Sequence, residues 1–196
     1  MDFYYYLKFP FDDREGLKKL AIGSLILLAP IINILALGYF VECIKVGAYN
    51  RRTLPYWQDF EGLLQNGLIA LLILTAYLLP ALLLMPLFLV VPIIGVIMQT
   101  TIFLIVGLLV PLAIGNYVIT EEIKDAFKIG GLLGQLSQIL SDYVIVYLMM
   151  IIVFSISVAL IFTLPIFVIF AVILNFYLGV IVAYFIGQML RITCHK

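Results

Sequence analysis

The amino-acid sequence predicts an all-α fold, a polytopic bundle of transmembrane helices with about five hydrophobic segments. The composition is the first reason, because 65% of the 196 residues are hydrophobic and only 11% are charged. Soluble domains are about half apolar and about a quarter charged. The mean hydropathy of +1.24 and the long uncharged stretches are the second and third reasons. A soluble fold could not bury this much apolar surface, so we expect one helical domain within a membrane.

The uncharged stretches set the number of hydrophobic segments. Residues 20–41, 62–120 and 143–190 contain no charged side chain. One crossing of a hydrocarbon core about 30 Å thick needs about 20 helical residues. The first stretch therefore fits one crossing, and each of the others fits two crossings joined by a turn that proline and glycine mark. The predicted segments are 20–42, 64–85, 94–118, 143–162 and 166–190.

The first segment leaves two topologies open. If it crosses, the chain makes five crossings, and four basic residues face one side against seven on the other. If it bends at Pro30 and Asn33 and re-enters, four crossings remain and every charged residue lies on one side. The second arrangement satisfies the positive-inside rule better. Five crossings with a cytoplasmic C-terminus are the default prediction, and the side of the N-terminus stays open.

Two polar stretches predict helices that lie in the membrane interface. Residues 1–19 open on tyrosines and phenylalanines, and such rings favour the headgroup level. Residues 120–142 carry apolar side chains at helical spacing with acids near their start, which is typical of an interfacial amphipathic helix. A simple continuation of the following span fits the second pattern equally well.

The most distinctive stretch joins the first two segments. It contains the run Leu-Pro-Tyr-Trp-Gln-Asp-Phe at 54–60, preceded by a Gly-Tyr pair and followed by a glycine that opens the next segment. This pattern resembles the signature of DUF 4013, a family of small prokaryotic membrane proteins of unknown function. The resemblance covers about residues 20–150, and it implies membrane location and helical architecture but no activity. The residues that carry it are Gly38, Tyr39, Pro55, Trp57, Asp59, Phe60 and Gly67.

Two interpretations of this stretch are open. The structural interpretation is a hinge into the membrane, because proline suits a first helical turn, tryptophan favours the interface and an acid stabilises a helix start. The functional interpretation is a site for an anionic lipid headgroup, which basic side chains beside aromatic rings can hold. The residues of that basic-aromatic cluster are Lys45, Arg51, Arg52, Tyr56 and Trp57.

A stripe of small residues marks the last segment. Gly179, Ala183 and Gly187 recur at every fourth position. Small residues at this spacing let membrane helices approach closely. The stripe predicts helix packing, either within one chain or between two copies.

The sequence contains no pattern typical of catalysis. It lacks the zinc, phosphate-loop and nucleophile-elbow motifs, and Cys43, Cys194 and His195 form no metal or disulfide framework. Apart from Glu42 at the end of the first one, the predicted spans contain no Asp, Glu, Lys, Arg or His, which argues against a proton-coupled pump. Eleven basic and eleven acidic residues cancel, so no basic face is expected for a nucleic acid. We therefore expect a non-enzymatic protein with no cofactor and no metal.

The leading hypothesis is a multi-pass protein of the cytoplasmic membrane that acts as a scaffold or assembly module. Its expected partners are the lipid bilayer and either another membrane protein or a second copy of the chain. The alternative is a transporter or binder of a lipid or another apolar small molecule. The sequence favours neither a particular substrate nor a particular oligomeric state.

Overall fold

The architecture is a bundle of helices, seen in a computed structural model that describes residues 3–29, 32–89 and 92–194. The part of the chain so described contains no strand. Two short 3-10 turns, Ile123–Phe127 and Pro165–Phe167, connect some of the helices. The α-helices are α1 (Phe3–Asp12), α2 (Gly16–Leu28), α3 (Asn33–Ala48), α4 (Phe60–Leu89), α5 (Pro92–Thr120), α6 (Ile129–Thr163) and α7 (Val168–Cys194).

Four of these helices, α4 to α7, are long and apolar enough to cross a membrane. Polar side chains bond each helix to the next in antiparallel order. Gln99 Nε2 of α5 donates to the Ala81 carbonyl of α4 at 3.3 Å. Tyr143 of α6 donates to the Leu108 carbonyl of α5 at 2.8 Å. Four such helices are typical of a multi-pass membrane protein, and the helical bundle agrees with the predicted fold class.

The predicted crossing by the first segment is wrong. The segment forms two helices, α2 with 13 residues and α3 with 16 residues, and each is shorter than the roughly 20 residues of one span. Ala29 ends α2 in an extended conformation with φ −93° and ψ 111°. The sequence gives the reason, because the residue before a proline is pushed out of the helical region. Pro30 itself lies outside the described residues, and Asn33 begins α3.

The N-terminal helices pack along α7 in opposite directions, α1 antiparallel to it and α3 parallel to it. Tyr6 of α1 donates to Gln188 at 2.9 Å, and the Phe11 ring lies 5.7 Å from that of Tyr177, so α1 is antiparallel to α7. Phe40 lies against Gly179 and Ala48 lies against Gly187, so α3 runs parallel to α7. This return matches the re-entrant alternative of the sequence analysis.

The last helix is the centre of the bundle. Its apolar window is 56% buried inside the molecule, against 11–22% for the three other long helices. Phe9 of α1 is fully buried and stacks on Tyr184 with 3.8 Å between ring centroids. Two aromatic rings of α1, those of Tyr6 and Phe9, are therefore buried inside the protein. The sequence predicted such rings at the level of the lipid headgroups.

Residues 120–142 do not form a separate interfacial helix. A 3-10 turn occupies Ile123–Phe127, and α6 then runs without interruption from Ile129 to Thr163. Continuation of the following span, the second interpretation of this stretch, is therefore confirmed. The antiparallel order places the starts of α4 and α6 and the ends of α5 and α7 at one end of the bundle. The charged α5–α6 connection lies at that end, whereas the opposite turn at 164–167 is uncharged.

Candidate functional site

The run at 54–60, which ends where α4 begins, is docked into the protein. Trp57 is only 8% exposed and stacks on Tyr39, with ring centroids 4.2 Å apart and planes 3° apart. Its Nε1 donates to the Lys19 carbonyl at 3.0 Å, and the Tyr39 hydroxyl donates to the Pro55 carbonyl at 3.2 Å. Trp57 is therefore an internal anchor that ties the loop to α2 and α3, and not the interfacial ring that the sequence suggested.

A buried ion pair holds the same loop from the other side. Lys19 Nζ lies 2.7 Å from Asp13 Oδ2, and the two side chains are 4% and 7% exposed. Lys19 Nζ also donates to the Leu54 carbonyl at 2.8 Å, while the Leu54 N–H donates to Asp13 at 2.9 Å. The pair thus binds both backbone polar groups of one loop residue, Leu54, and we call these contacts among Asp13, Lys19 and Leu54 the loop latch.

Electrostatics favour the ionised form of Asp13. Burial alone raises the pKa of this carboxyl, but the Lys19 ammonium and the backbone N–H groups of Glu15 and Leu54 donate to it. The net effect is a pKa below the ordinary value. Sequence reasoning missed this pair because the contacts with Leu54 span 35 and 41 residues. An acid and a lysine before a hydrophobic segment give no signal of burial.

The remaining family-like residues have structural roles. A Cβ at Gly38 would overlap the Leu63 carbonyl oxygen, and a Cβ at Gly67 would overlap the Ile34 carbonyl oxygen. These two glycines therefore let α3 and α4 touch through their backbones. Asp59 Oδ1 accepts from the Gly62 N–H at 3.0 Å and caps α4, as expected for an acid at a helix start. Phe60 is exposed.

The predicted basic-aromatic cluster is gathered only in part, since Arg51 and Tyr56 line one surface pocket. Lys45 pairs with Glu42 at 2.7 Å. Arg51 lies over the Tyr49 ring and Arg52 lies over the Tyr5 ring. The ring of Tyr56 covers the ammonium of Lys19 at 3.6 Å instead. Each member of the cluster therefore already has its own partner, and Trp57 is buried against Tyr39.

Arg51 does line a surface pocket of about 290 Å³. Two carboxylates, Glu42 and Asp59, line the same pocket. An anionic headgroup would meet like charge there, so this pocket is poorly matched to it.

The small-residue stripe packs within the chain. A Cβ at Gly187 would overlap the Ile44 carbonyl oxygen of α3, and Gly179 lies against the Phe40 ring. On the α3 side, Gly47 lies close to the Tyr184 carbonyl of α7. Ala183 is 5% exposed. The stripe is thus the surface of α7 on which α3 packs.

A cavity of about 550 Å³ lies between the helices from α2 to α7. We call it the central cavity. Its volume falls within the roughly 300–1,000 Å³ of small-molecule sites. Among the described residues that line it, none is charged, and Tyr147 and Asn175 are the two with polar side chains. Each helix from α2 to α7 contributes, for example through Leu27, Phe40, Ala70, Ile114, Ile151 and Val182.

The sequence did not reveal this cavity. Gly179 and Ala183, which the stripe had singled out, are among its lining residues. The same small side chains that seat α3 therefore also leave room beside it. The small residues on α7 were visible in the sequence. The small residues that face them, Ala70 and Gly107, lie on α4 and α5, and no sequence pattern predicts that these helices pack around the same space.

Metal chemistry finds no support in the described ranges. Within residues 3–29, 32–89 and 92–194, no three histidine, cysteine, aspartate or glutamate side chains lie close enough to hold a metal ion. Cys43 is buried in α3. His195 and the side chain of Cys194 lie outside the described part.

Comparison with known proteins gives one match. The family described as "Protein of unknown function (DUF4013)" matches residues 21–166, which is most of the chain. No curated protein and no solved structure matches.

Proposed function

The chain belongs to the DUF4013 family of proteins of unknown function, and, since that membership assigns no activity, we propose that the protein binds a lipid or another apolar molecule in the central cavity. The observation that carries the proposal is the cavity itself, with its volume of about 550 Å³ and its almost wholly apolar lining. Ligand sites in proteins combine this size with mostly apolar walls and a few polar groups.

Atoms that line an empty void lose their dispersion contacts on one side. Three of the lining helices, α4 to α6, are long and apolar, and only 11–22% of their apolar windows is buried inside the molecule. Within a membrane, the nearest available matter is therefore an apolar chain. An occupant of this chemistry restores the lost contacts without any polar group being desolvated.

An assembly role has less support from the geometry. The small-residue stripe on α7 is already covered by α3, through Gly47 and Gly187. A scaffold would therefore have to use the lipid-facing sides of α4, α5 or α6. The position of the charged residues at one end supports a cytoplasmic orientation of that end in the cell membrane.

Native mass spectrometry of the protein, extracted from its own membrane in mild detergent, tests the proposal. We expect one apolar molecule to be retained per chain. Leu74→Trp should weaken this retention, because Leu74 lines the cavity and the larger side chain would take up part of its volume.

The matched control is Leu72→Trp on the same helix, whose parent side chain is 53% exposed and does not line the cavity. This variant should retain the molecule. Equal retention by both variants, or no bound molecule in the parent protein, would refute binding in the central cavity.

A further inference from the structure

We infer that the molecule held in the central cavity carries a hydroxyl group, which donates a hydrogen bond to Asn175 Oδ1 on the cavity wall. The inference rests on the proposed function, and it names the chemical class of the ligand.

The Asn175 amide has a fixed orientation. Its Nδ2 donates to the Ala171 carbonyl at 2.7 Å and to Ser157 Oγ at 2.7 Å. A carbonyl can only accept, so the atom beside Ala171 must be the nitrogen. Both amide hydrogens are therefore engaged. Among the described residues no donor reaches Asn175 Oδ1, which remains an available acceptor in the lining of the cavity.

The backbone of α5 supplies a second acceptor. Pro111 lies inside α5 and has no N–H group. The carbonyl of Gly107, four residues earlier, therefore lacks the donor that a regular helix would provide. Both residues line the central cavity.

The one hydroxyl on the wall is committed elsewhere. Tyr147 donates to the Leu104 carbonyl at 2.9 Å. The polar side chains of the lining are thus Asn175 and Tyr147, and the hydrogens of both are used. The described lining therefore offers a bound molecule hydrogen-bond acceptors, and its side-chain hydrogen-bond donors are already engaged.

A wall with free acceptors and engaged donors favours a ligand that donates a hydrogen bond. A neutral molecule with a hydroxyl group, such as a long-chain alcohol or a hydroxyl-bearing neutral lipid, supplies the missing hydrogen. An ester or ether of the same size presents only acceptors and leaves the wall groups unpaired, which is costly in an apolar site. An anionic headgroup finds no cationic side chain in the lining.

A paired-ligand experiment tests the inference. Tritiated 1-hexadecanol is bound to the purified full chain in nanodiscs and displaced either by unlabelled 1-hexadecanol or by hexadecyl methyl ether, which has a similar chain and no donor. We expect the ether to bind about fivefold to tenfold more weakly, as the loss of one hydrogen bond implies. Equal displacement by both would overturn the hydroxyl inference while leaving apolar binding in place. Absence of saturable binding by either would overturn both proposals.

Two variants locate the acceptor. Asn175→Leu removes the Oδ1 acceptor and should reduce the preference for the alcohol to less than about twofold, with Gly107 as the only remaining partner. Tyr147→Phe removes the other polar group of the lining, whose hydroxyl is committed to the Leu104 carbonyl, and it keeps Oδ1, so it should retain the preference. A full preference in Asn175→Leu, or its loss in Tyr147→Phe, would contradict the assigned role of Asn175.

Discussion

Trp57 is the only tryptophan of the chain, and its indole reports on the loop latch. The ring stacks on Tyr39 and lies 6.3 Å from Phe176, so it senses α3 and α7 at once. Its emission therefore monitors whether the loop before α4 is docked. The interfacial role that the sequence suggested would place the same ring against lipid.

At the residue scale we predict that Lys19→Met destabilises the protein by about 3 kcal/mol or more, because it leaves the Asp13 carboxylate buried without its counter-charge. The unfolding midpoint in detergent should fall, and the Trp57 emission should shift to the red before global unfolding.

Lys18→Met is the matched control, since Lys18 is its neighbour in α2 and is exposed. It should change the unfolding midpoint very little. If the two variants were equally stable, the ion pair would contribute nothing to the latch.

Local chemistry was predictable from the sequence where the partners are close in the chain. Asp59 caps a helix that starts one residue later, and a local rule foresees that role. The Asp13–Lys19 pair needs Leu54, which is brought to it only by the return of α3 along α7. No spacing rule covers such a contact.

At the scale of elements, glycines decide which helices touch. Gly187 lies against the backbone of α3, where an added methyl group would meet the Ile44 carbonyl oxygen and the Ala48 nitrogen. Backbone atoms cannot swing aside as side chains do. The two helices must therefore separate if this position is enlarged.

We predict that Gly187→Ala destabilises the protein by about 1–3 kcal/mol through this overpacking. Thermal unfolding followed by circular dichroism measures the effect. Gly130→Ala in α6 is the control, because no atom lies within 4 Å of its added methyl group. That change should be neutral or should stabilise α6 by up to about 1 kcal/mol. An unchanged midpoint for Gly187→Ala, together with a changed oligomeric state, would show that the stripe packs between copies.

Long helices were easier to predict than their joins. Hydropathy located α4, α5 and α7 to within a few residues, because a span is a property of composition over about 20 positions. The first segment has the same composition but a helix break before Pro30, and it forms the pair α2 and α3. The start of α6 was uncertain because an amphipathic stretch has the same period whether it ends or continues.

At the scale of the whole molecule, four crossings fix the relation between the termini. The beginning of α4 and the end of α7 lie at the same end of the bundle, and α1 to α3 include no helix long enough to cross. We predict that epitope tags at the two termini are labelled on the same side of the membrane in intact and permeabilised cells. A single cysteine introduced at Leu164, in a background that lacks Cys43 and Cys194, should be labelled from the opposite side. Tags on opposite sides would restore five crossings.

Because α7 is buried at the centre of the bundle, the order of synthesis delays the packing of α1 and α3. α1 and α3 pack on α7, which the ribosome makes after them, and Phe9 must wait for Tyr184. At about 5–20 residues per second, the wait is roughly 10–35 s. Until α7 is made, the surface that will hold α1 and α3 is missing. A chain truncated before α7 would therefore leave the apolar faces of these two helices uncovered.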